Sequence, residues 1–236
     1  MRTKALLSVA AIAASAISAM AQNVYSLNIV GYATVSAPAG YSILANPLSG
    51  GQTNGANEIL PPITGMAVLT WNGAGFDYAS YQPAFNPPPG TGWVDVNLAP
   101  ANPPSLPPGK GFFFQNPAST PTNITFVGQV VPGPSSTNTL ALAPGYSMVG
   151  SPLPAAVTDI TTSPVNLPKV PSEAVLTWNG SGYTTATYNP AFNPPPGSGW
   201  VDANLAPIAA PSYSIGEGFF FQNPNNTAIN WVQSLP

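Results

Sequence analysis

Histidine and cysteine are both absent from this chain of 236 residues. Without them there can be no Ser-His-Asp or Cys-His nucleophilic site, and no zinc, copper or haem site built on His or Cys ligands. The sequence also lacks a glycine-rich phosphate loop followed by Lys-Ser/Thr. We therefore expect no cofactor. Because no disulfide can form, stability must come from buried apolar area.

Charge of either sign is scarce, since only 5% of the residues are Asp, Glu, Lys or Arg. Arg2 and Lys4 lie in the N-terminal leader described below, and its removal leaves Lys110 and Lys169 against seven acids, a net charge of −5. Nucleic acids and anionic membranes bind through several Lys or Arg side chains, so neither is expected as a partner. So little charge also gives weak protection against self-association.

The first 21 residues have the features of a secretory signal peptide. Arg2 and Lys4 precede an apolar run from Ala5 to Ile17, and Ala19-Met20-Ala21 forms a small-x-small cleavage signal. The apolar run is too short to span a bilayer comfortably. We expect cleavage before Gln22, no membrane insertion afterwards, and a product that is secreted or held at the cell surface, with the periplasm as an alternative.

Proline is abundant, with 31 residues, and it excludes long helices because a helix interior does not tolerate it. The segments between prolines are short and rich in β-branched and aromatic residues, which predicts an all-β fold. Asn72-Gly73 and Asn179-Gly180 predict hairpin turns. The predicted strands of the first half are Tyr25–Val35, Tyr41–Ala45, Ala67–Trp71, Phe76–Tyr81, Gly111–Gln115 and Ile124–Val131.

Three segments of the first half recur about 107 residues later. VLTWNG at 68–73 returns at 175–180, GFFFQNP at 111–117 returns at 218–224, and the twenty residues 81–100 return with few changes at 188–207. A period this long indicates a duplicated small domain.

The repeat predicts two tandem homologous small β-sandwich or barrel-like domains after the signal peptide 1–21. We place the first domain at 22–132 and the second at 133–236, with 133–138 as the linker, because its PGPSSTN context is rich in turn-forming residues.

The order of motifs VYSLNIVGY, G-Y-S-x-x-x-x-P-L, V-L-x-W-N-G and G-x-G-F-F-F-Q-N-P resembles a group of uncharacterised secreted two-repeat β proteins from environmental Gram-negative bacteria. More loosely, it is similar to small β-repeats appended to bacterial cell-surface proteins. The resemblance covers the mature chain. It implies secretion and a two-repeat β fold, and it transfers no functional residue.

Asp95 and Asp202 are the only carboxylates at matching places in the two halves. Brought together, they would form a dyad like that of an aspartic protease, but the Asp-Thr/Ser-Gly turn of that family is missing. The preferred interpretation is that each Asp caps an Asx-turn. A weak alternative is a calcium site formed with Asn97 and Asn204, although calcium needs six or more oxygens.

Aromatic residues are the remaining candidates for binding. Trp71 and Trp178 precede hairpin turns, which favours half-buried positions covering each core. The duplicated Pro-Pro-Pro-Gly loop carries a second aromatic set, which could form a flat preorganised surface for sugar rings or an extended chain, or could fold back and bury its rings. The candidate binding residues in this set are Tyr81, Phe85, Trp93, Tyr188, Phe192 and Trp200.

These observations favour a secreted, non-enzymatic structural or adhesive protein of the cell surface or extracellular matrix that acts through its duplicated loops. The expected partner is a further copy of the chain or an extracellular polysaccharide. A polysaccharide-binding module is therefore the alternative function, and a carboxylate-dependent hydrolase is a remote one. One asymmetry between the halves stands out, because Lys110 in PGKG aligns with Glu217 in IGEG.

Overall fold

The fold consists of two β bodies, one from each half of the chain. A computed structural model describes residues 30–51, 53–87, 90–131, 137–191 and 197–234. The described chain is nearly all β, and its sheets form two separate sandwich-like bodies, which confirms the predicted fold class. The predicted signal peptide lies outside the described residues, as do 133–136 of the predicted linker; residues 137 and 138 belong to a strand.

The first body contains a five-stranded sheet in the order β2-β6-β3-β4-β5 and a two-stranded sheet of β1 and β7. A single helical turn, α1 (Ala56–Ile59), precedes β3. The strands are β1 (Val30–Ala37), β2 (Gly40–Ala45), β3 (Ala67–Trp71), β4 (Phe76–Tyr81), β5 (Trp93–Val94), β6 (Gly111–Asn116) and β7 (Thr122–Gln129).

The second body repeats this plan with a six-stranded sheet in the order β13-β12-β11-β10-β14-β9 and a two-stranded sheet of β8 and β15. All neighbouring strands in both bodies are antiparallel. The strands are β8 (Thr137–Leu142), β9 (Gly145–Val149), β10 (Ala174–Trp178), β11 (Tyr183–Tyr188), β12 (Trp200–Val201), β13 (Pro207–Ile208), β14 (Phe219–Asn223) and β15 (Ile229–Ser234).

Each body closes by pairing its first strand with its last, and a buried asparagine supports this closure. The Nδ2 of Asn116, at the end of β6, donates to the carbonyls of Ala37 and Thr120 at 3.1 and 3.0 Å. In the second body, Asn223 Nδ2 donates to the carbonyl of Leu142 at 3.0 Å. The asparagine of the GFFFQNP motif therefore fixes the first strand against the turn that leads into the last.

The three consecutive phenylalanines of that motif are explained by a strand buried on both faces. Successive side chains of a strand point to opposite faces. Phe112 and Phe114 lie in the core of the first body, whereas Phe113 packs in a separate cluster together with Phe220 of the second body. An ordinary strand with one solvated face would alternate apolar and polar residues.

No helix in the described ranges is both long enough and apolar enough to cross a membrane.

Candidate functional site

The two bodies meet through the outer faces of their larger sheets, and we call this contact the junction. Its buried centre consists of Ile43 and Phe113 from the first body and Met148 and Phe220 from the second. Four half-buried side chains pack against this centre, namely Leu69, Trp71, Leu176 and Trp178. Every member has its counterpart in the other half, so the junction is built from the same elements twice.

The contacts across the junction are reciprocal. Trp71 Nε1 donates to the carbonyl of Tyr146, and Trp178 Nε1 donates to the carbonyl of Tyr41, each at 2.9 Å. Trp71 also packs edge-on against Phe220, with ring centroids 5.5 Å apart. The prediction that Trp71 and Trp178 are half-buried is confirmed, but they cover the junction, and the cores of the bodies lie on the opposite face of each sheet.

Backbone pairing across the junction demands glycine at the first residue of β6 and at the residue immediately before β14. A Cβ at Gly218 would lie 2.6 Å from the carbonyl oxygen of Leu44, and a Cβ at Gly111 would lie 2.7 Å from the nitrogen of Val149. Gly218 N donates to the carbonyl of Ile43 at 3.0 Å. The glycine of the repeated GFFFQNP motif therefore permits the close approach of the two backbone segments.

An apolar pocket of about 190 Å³ opens at the edge of the junction, between Phe76 and Tyr183. These two rings occupy equivalent positions of the repeat, on β4 and β11, and they are 41% and 42% exposed. Each packs against Phe220, with centroid distances of 6.2 and 5.8 Å. The remaining side chains around the pocket are Trp71, Tyr146, Leu176 and Phe220.

Two clefts flank the junction, and they are equivalent in the repeat but opposite in charge. The first, of about 350 Å³, lies between the Asn72-Gly73 turn and Lys110. The second, of about 440 Å³, lies between the Asn179-Gly180 turn and Glu217. The junction thus offers an uncharged aromatic pocket between one cleft with an ammonium and one with a carboxylate.

The duplicated loop places its two tryptophans inside the cores, away from the surface. Trp93 is 0% exposed, and its ring packs against Tyr81 with centroids 5.8 Å apart. Trp200 is equally buried and lies 5.5 Å from the ring of Tyr188. For these residues the structure has the folded-back arrangement, in which the loop buries its rings, and a ring without exposed surface cannot stack on a sugar.

The two phenylalanines of that loop differ from the tryptophans. Phe85 is 55% exposed, so it remains available for contact, whereas Phe192 lies outside the described residues. Packing gives a physical reason for the near identity of the loop in the two halves. A Cβ at Gly92 would lie 2.4 Å from the ring of Tyr81, and one at Gly199 would lie 2.8 Å from the ring of Tyr188.

Asp95 and Asp202 both form Asx-turns. Asp95 Oδ1 accepts hydrogen bonds from the backbone amides of Asn97 and Ala99 at 2.8 and 2.9 Å. Asp202 Oδ1 accepts from Asn204 and Ala206, both at 2.8 Å. The preferred interpretation of these aspartates as turn caps is confirmed by these bonds.

The other carboxylates are held in the same local manner. All seven acidic side chains accept a hydrogen bond from a donor no more than five positions away in the sequence. In the described ranges, no three His, Cys, Asp or Glu side chains gather as a metal site would require. Six of these acids therefore cap backbone amides close to them in the sequence, and Asp77 accepts from the side chain of Asn72.

Glu173 differs from the other acids in its burial, because its side chain is fully buried on the core side of the second body. Its Oε2 accepts from the amide of Val170 at 2.8 Å, while Oε1 has no hydrogen-bond partner among the described residues. Loss of hydration raises the pKa of Glu173 to about 8, and the Val170 amide and the charge of Lys169 oppose this shift. Met66 occupies the equivalent position in the first body.

Comparison of the chain with protein-family models, with curated proteins and with solved structures found no match. The functional argument therefore depends on the geometry of the junction.

Sequence reasoning missed the exposed aromatic residues at the junction, namely Tyr41, Phe76, Tyr146 and Tyr183. The signal for Phe76 and Tyr183 was present in the alternation of β4 and β11. In β4 the core-facing residues are the odd-numbered Ala79 and Tyr81, so the even-numbered Phe76 lies on the outer face. In β11 the core-facing residues are the even-numbered Ala186 and Tyr188, so the odd-numbered Tyr183 lies on the outer face. Alternation alone separates the two faces of a strand. It does not say that the outer face of one sheet meets the outer face of another.

Proposed function

We propose that this chain is a secreted, non-enzymatic adhesive protein that binds neutral extracellular polysaccharide at the junction between its two β bodies. The observation that carries the proposal is the uncharged aromatic pocket bordered by Phe76 and Tyr183. Aromatic rings that are partly exposed and held rigidly by edge-on packing offer contact area at small entropic cost. A nearly uncharged surface suits a neutral ligand better than an anionic one.

The surroundings of the pocket also support a ligand that is rich in hydroxyl groups. The Asn72 and Asn179 side chains sit at the tips of the neighbouring hairpins, with their amide oxygens accepting backbone bonds from Gly75 and Gly182 at 2.9 Å. Binding sites generally combine an apolar wall with a few fixed polar groups that set orientation. The local hydrogen bonding of all seven acids supports a passive binding role, and we propose no enzymatic step.

Substitution of both pocket rings, Phe76→Ala with Tyr183→Ala, is expected to weaken retention on insoluble neutral polysaccharides by at least about tenfold, because each ring supplies on the order of 1 kcal/mol of contact. Retention is measured by co-sedimentation of the purified chain 22–236 with a panel of such polymers. Phe85→Ala is the control, since it removes an exposed aromatic ring, 55% exposed, from the duplicated loop.

Unchanged retention in the double variant would contradict the proposal for the junction. Loss of retention in Phe85→Ala alone would place the site on the duplicated loop instead.

Self-association is a second candidate function, and the outer face of β1 favours it. Tyr32 is 80% exposed and Val127, its partner across β7, is 57% exposed. Among the described strands β1 pairs with β7 only. A strand edge with an apolar, uncharged face is a template for pairing with another chain.

A lysine on this face is expected to oppose self-association. Tyr32→Lys should shift the concentration at which oligomers form upward by about tenfold, because paired copies would bring like charges together. Light scattering over a concentration series measures this shift. Val96→Lys is the control, as it adds the same charge at another exposed position, 74% exposed, and an equal effect of both variants would point to net charge alone.

A further inference from the structure

We propose that the second body binds a primary ammonium group on an aliphatic stem, such as the end of a lysine side chain, in a pocket beside Glu217. Glu217 also borders the second cleft beside the junction. The pocket itself lies on the core side of the β10–β11 hairpin and none of its lining residues is a junction ring, so this proposal can be tested separately from the polysaccharide proposal.

The pocket has a volume of about 220 Å³. That is several times the ~30 Å³ that one water molecule occupies in the liquid. Its apolar lining consists of Val175, Ala186, Ile208, Ala209 and Pro211, and its polar lining consists of Thr177, Thr184, Ser212 and Glu217. The shape thus combines room for a short alkyl chain with oxygen atoms at one side.

In the first body, the equivalent position binds an ammonium group of the chain itself. Lys110 stands at the position equivalent to Glu217, and its Nζ donates to the carbonyl of Ser105 at 3.2 Å. Asp77 lies close enough to Lys110 to raise the pKa of its ammonium, against the larger lowering caused by burial. The counterparts of Ser105 and Asp77 in the second body are Ser212 and Thr184, and both line the pocket.

The second body keeps the serine, has the Thr184 hydroxyl where the first body has the Asp77 carboxylate, and has the Glu217 carboxylate where the first body has the Lys110 ammonium. Glu217 Oε2 accepts from the amide of Ser214 at 2.9 Å, which holds the side chain at the side of the pocket. A carboxylate accepts several hydrogen bonds, so capacity remains for an incoming donor. Burial raises the pKa of Glu217, and the Ser214 bonds oppose this shift.

Neither lysine of the described chain forms an ion pair with Glu217. Lys110 bonds to Ser105, and Lys169 lies 6.0 Å from the ring centroid of Tyr188. A partly desolvated carboxylate gains from a cation placed beside it. A calcium or magnesium ion suits the pocket poorly because such an ion requires six or more oxygen ligands, and the lining supplies a single carboxylate, that of Glu217. An alkylammonium satisfies both the oxygens and the apolar wall.

The test uses n-butylamine as the probe, with n-butanol as the neutral isostere, in NMR titrations of the full mature chain at neutral pH. We expect shifts of the Thr184, Ser212 and Gly218 amides with butylamine, and at least tenfold weaker binding of butanol. The first-body counterparts Asp77, Ser105 and Gly111 provide internal controls, because their acceptors are already occupied by Lys110.

Two variants separate charge from space. Glu217→Gln retains the size and the Ser214 bond, so at least tenfold weaker butylamine binding is expected from the loss of charge. Glu217→Lys places a lysine at the position of Lys110 and should abolish butylamine binding, because it removes the carboxylate and supplies an ammonium internally. Lys110→Gln is the matched control and should leave the second-body shifts unchanged.

Equal binding of butylamine and butanol, or unchanged binding by Glu217→Gln, would overturn the proposal. Shifts confined to the first body would also overturn it. Glucosamine tests whether the aliphatic stem is recognised, since its ammonium is attached to a hydroxylated pyranose ring and it has no alkyl chain to lie against Val175, Ala186 and Ile208. Binding of glucosamine as tight as that of butylamine would show that the aliphatic stem is not recognised, and the proposal would be wrong in that respect.

Discussion

Replacing Glu173 with methionine is expected to raise the free energy of unfolding at pH 8 by about 2–4 kcal/mol. Met66 already occupies the equivalent site in the first body, where it is fully buried and its carbonyl accepts from the amide of Tyr81 at 2.9 Å. The Glu173 carbonyl accepts from Tyr188 at 3.0 Å in the same way. Methionine therefore fits the backbone and removes a buried group that ionises.

The sign follows from proton binding. The folded chain holds the proton on Glu173 up to a pKa of about 8, whereas an ordinary glutamate loses it near 4.5. Between these values the unfolded state binds fewer protons, so the contribution of Glu173 to stability is fully present below about pH 4.5 and falls as the pH rises towards 8. Glu173→Met should remove this decline.

Urea unfolding at pH 5 and pH 8 measures the effect. Glu58→Gln serves as the control, because Glu58 is exposed and its Oε2 accepts from the amides of Thr53 and Gly55 at 3.3 Å. A gain from Glu173→Met that is the same at both pH values would contradict the electrostatic explanation. It would leave packing as the cause.

Truncation of either buried tryptophan, Trp93→Ala or Trp200→Ala, is expected to lower the free energy of unfolding by about 3–5 kcal/mol. Each ring is enclosed in the core of its body and packs against a tyrosine of the preceding strand. Removal of so large a side chain leaves a cavity that the surrounding strands fill only in part. Thermal unfolding followed by circular dichroism measures the loss.

The two tryptophans are also expected to differ when changed to phenylalanine. Trp93 Nε1 donates to Asn57 Oδ1, while Trp200 Nε1 has no partner among the described residues. Trp93→Phe should therefore cost about 1–2 kcal/mol more than Trp200→Phe, because it leaves Asn57 without its donor. Equal costs would show that the Asn57 bond contributes nothing. A loss of less than about 1 kcal/mol in the free energy of unfolding of either alanine variant would contradict the burial of these rings.

These stability effects determine how binding experiments on the duplicated loop are interpreted. Loss of polysaccharide retention in a Trp93→Ala and Trp200→Ala variant would follow from unfolding as readily as from loss of a contact. The exposed rings Phe76, Tyr183 and Phe85 avoid this ambiguity, because their removal opens no cavity in either core.

Several local features followed from sequence with little tertiary information. The strand predictions at 67–71 and 76–81 match β3 and β4 at both ends, and those at 41–45 and 111–115 differ from β2 and β6 by one residue. The Asn72-Gly73 turn was predictable because Gly73 has a φ of 99°, which glycine adopts at no steric cost. The Asx-turns at Asp95 and Asp202 depend on neighbours within four positions.

Short elements escaped prediction because they contain too few residues to show a period. The helix α1 has four residues, and β5, β12 and β13 have two each. Pairing with an adjacent strand defines these segments, since Tyr81 pairs with Trp93 and Tyr188 with Trp200. The inward direction of both tryptophans is set by the same pairing.

By itself, the sequence determined the all-β class, the duplication and the turns, because composition, repeat length and hydrogen bonds to near neighbours are local properties. Only the tertiary structure decided that Trp93 and Trp200 face inward and that Phe113 and Phe220 meet at a junction. It also placed Glu217 beside an alkyl-sized pocket where the first body holds Lys110. The reason is that strand alternation divides side chains between two faces, while the surface that covers each face comes from segments distant in the chain.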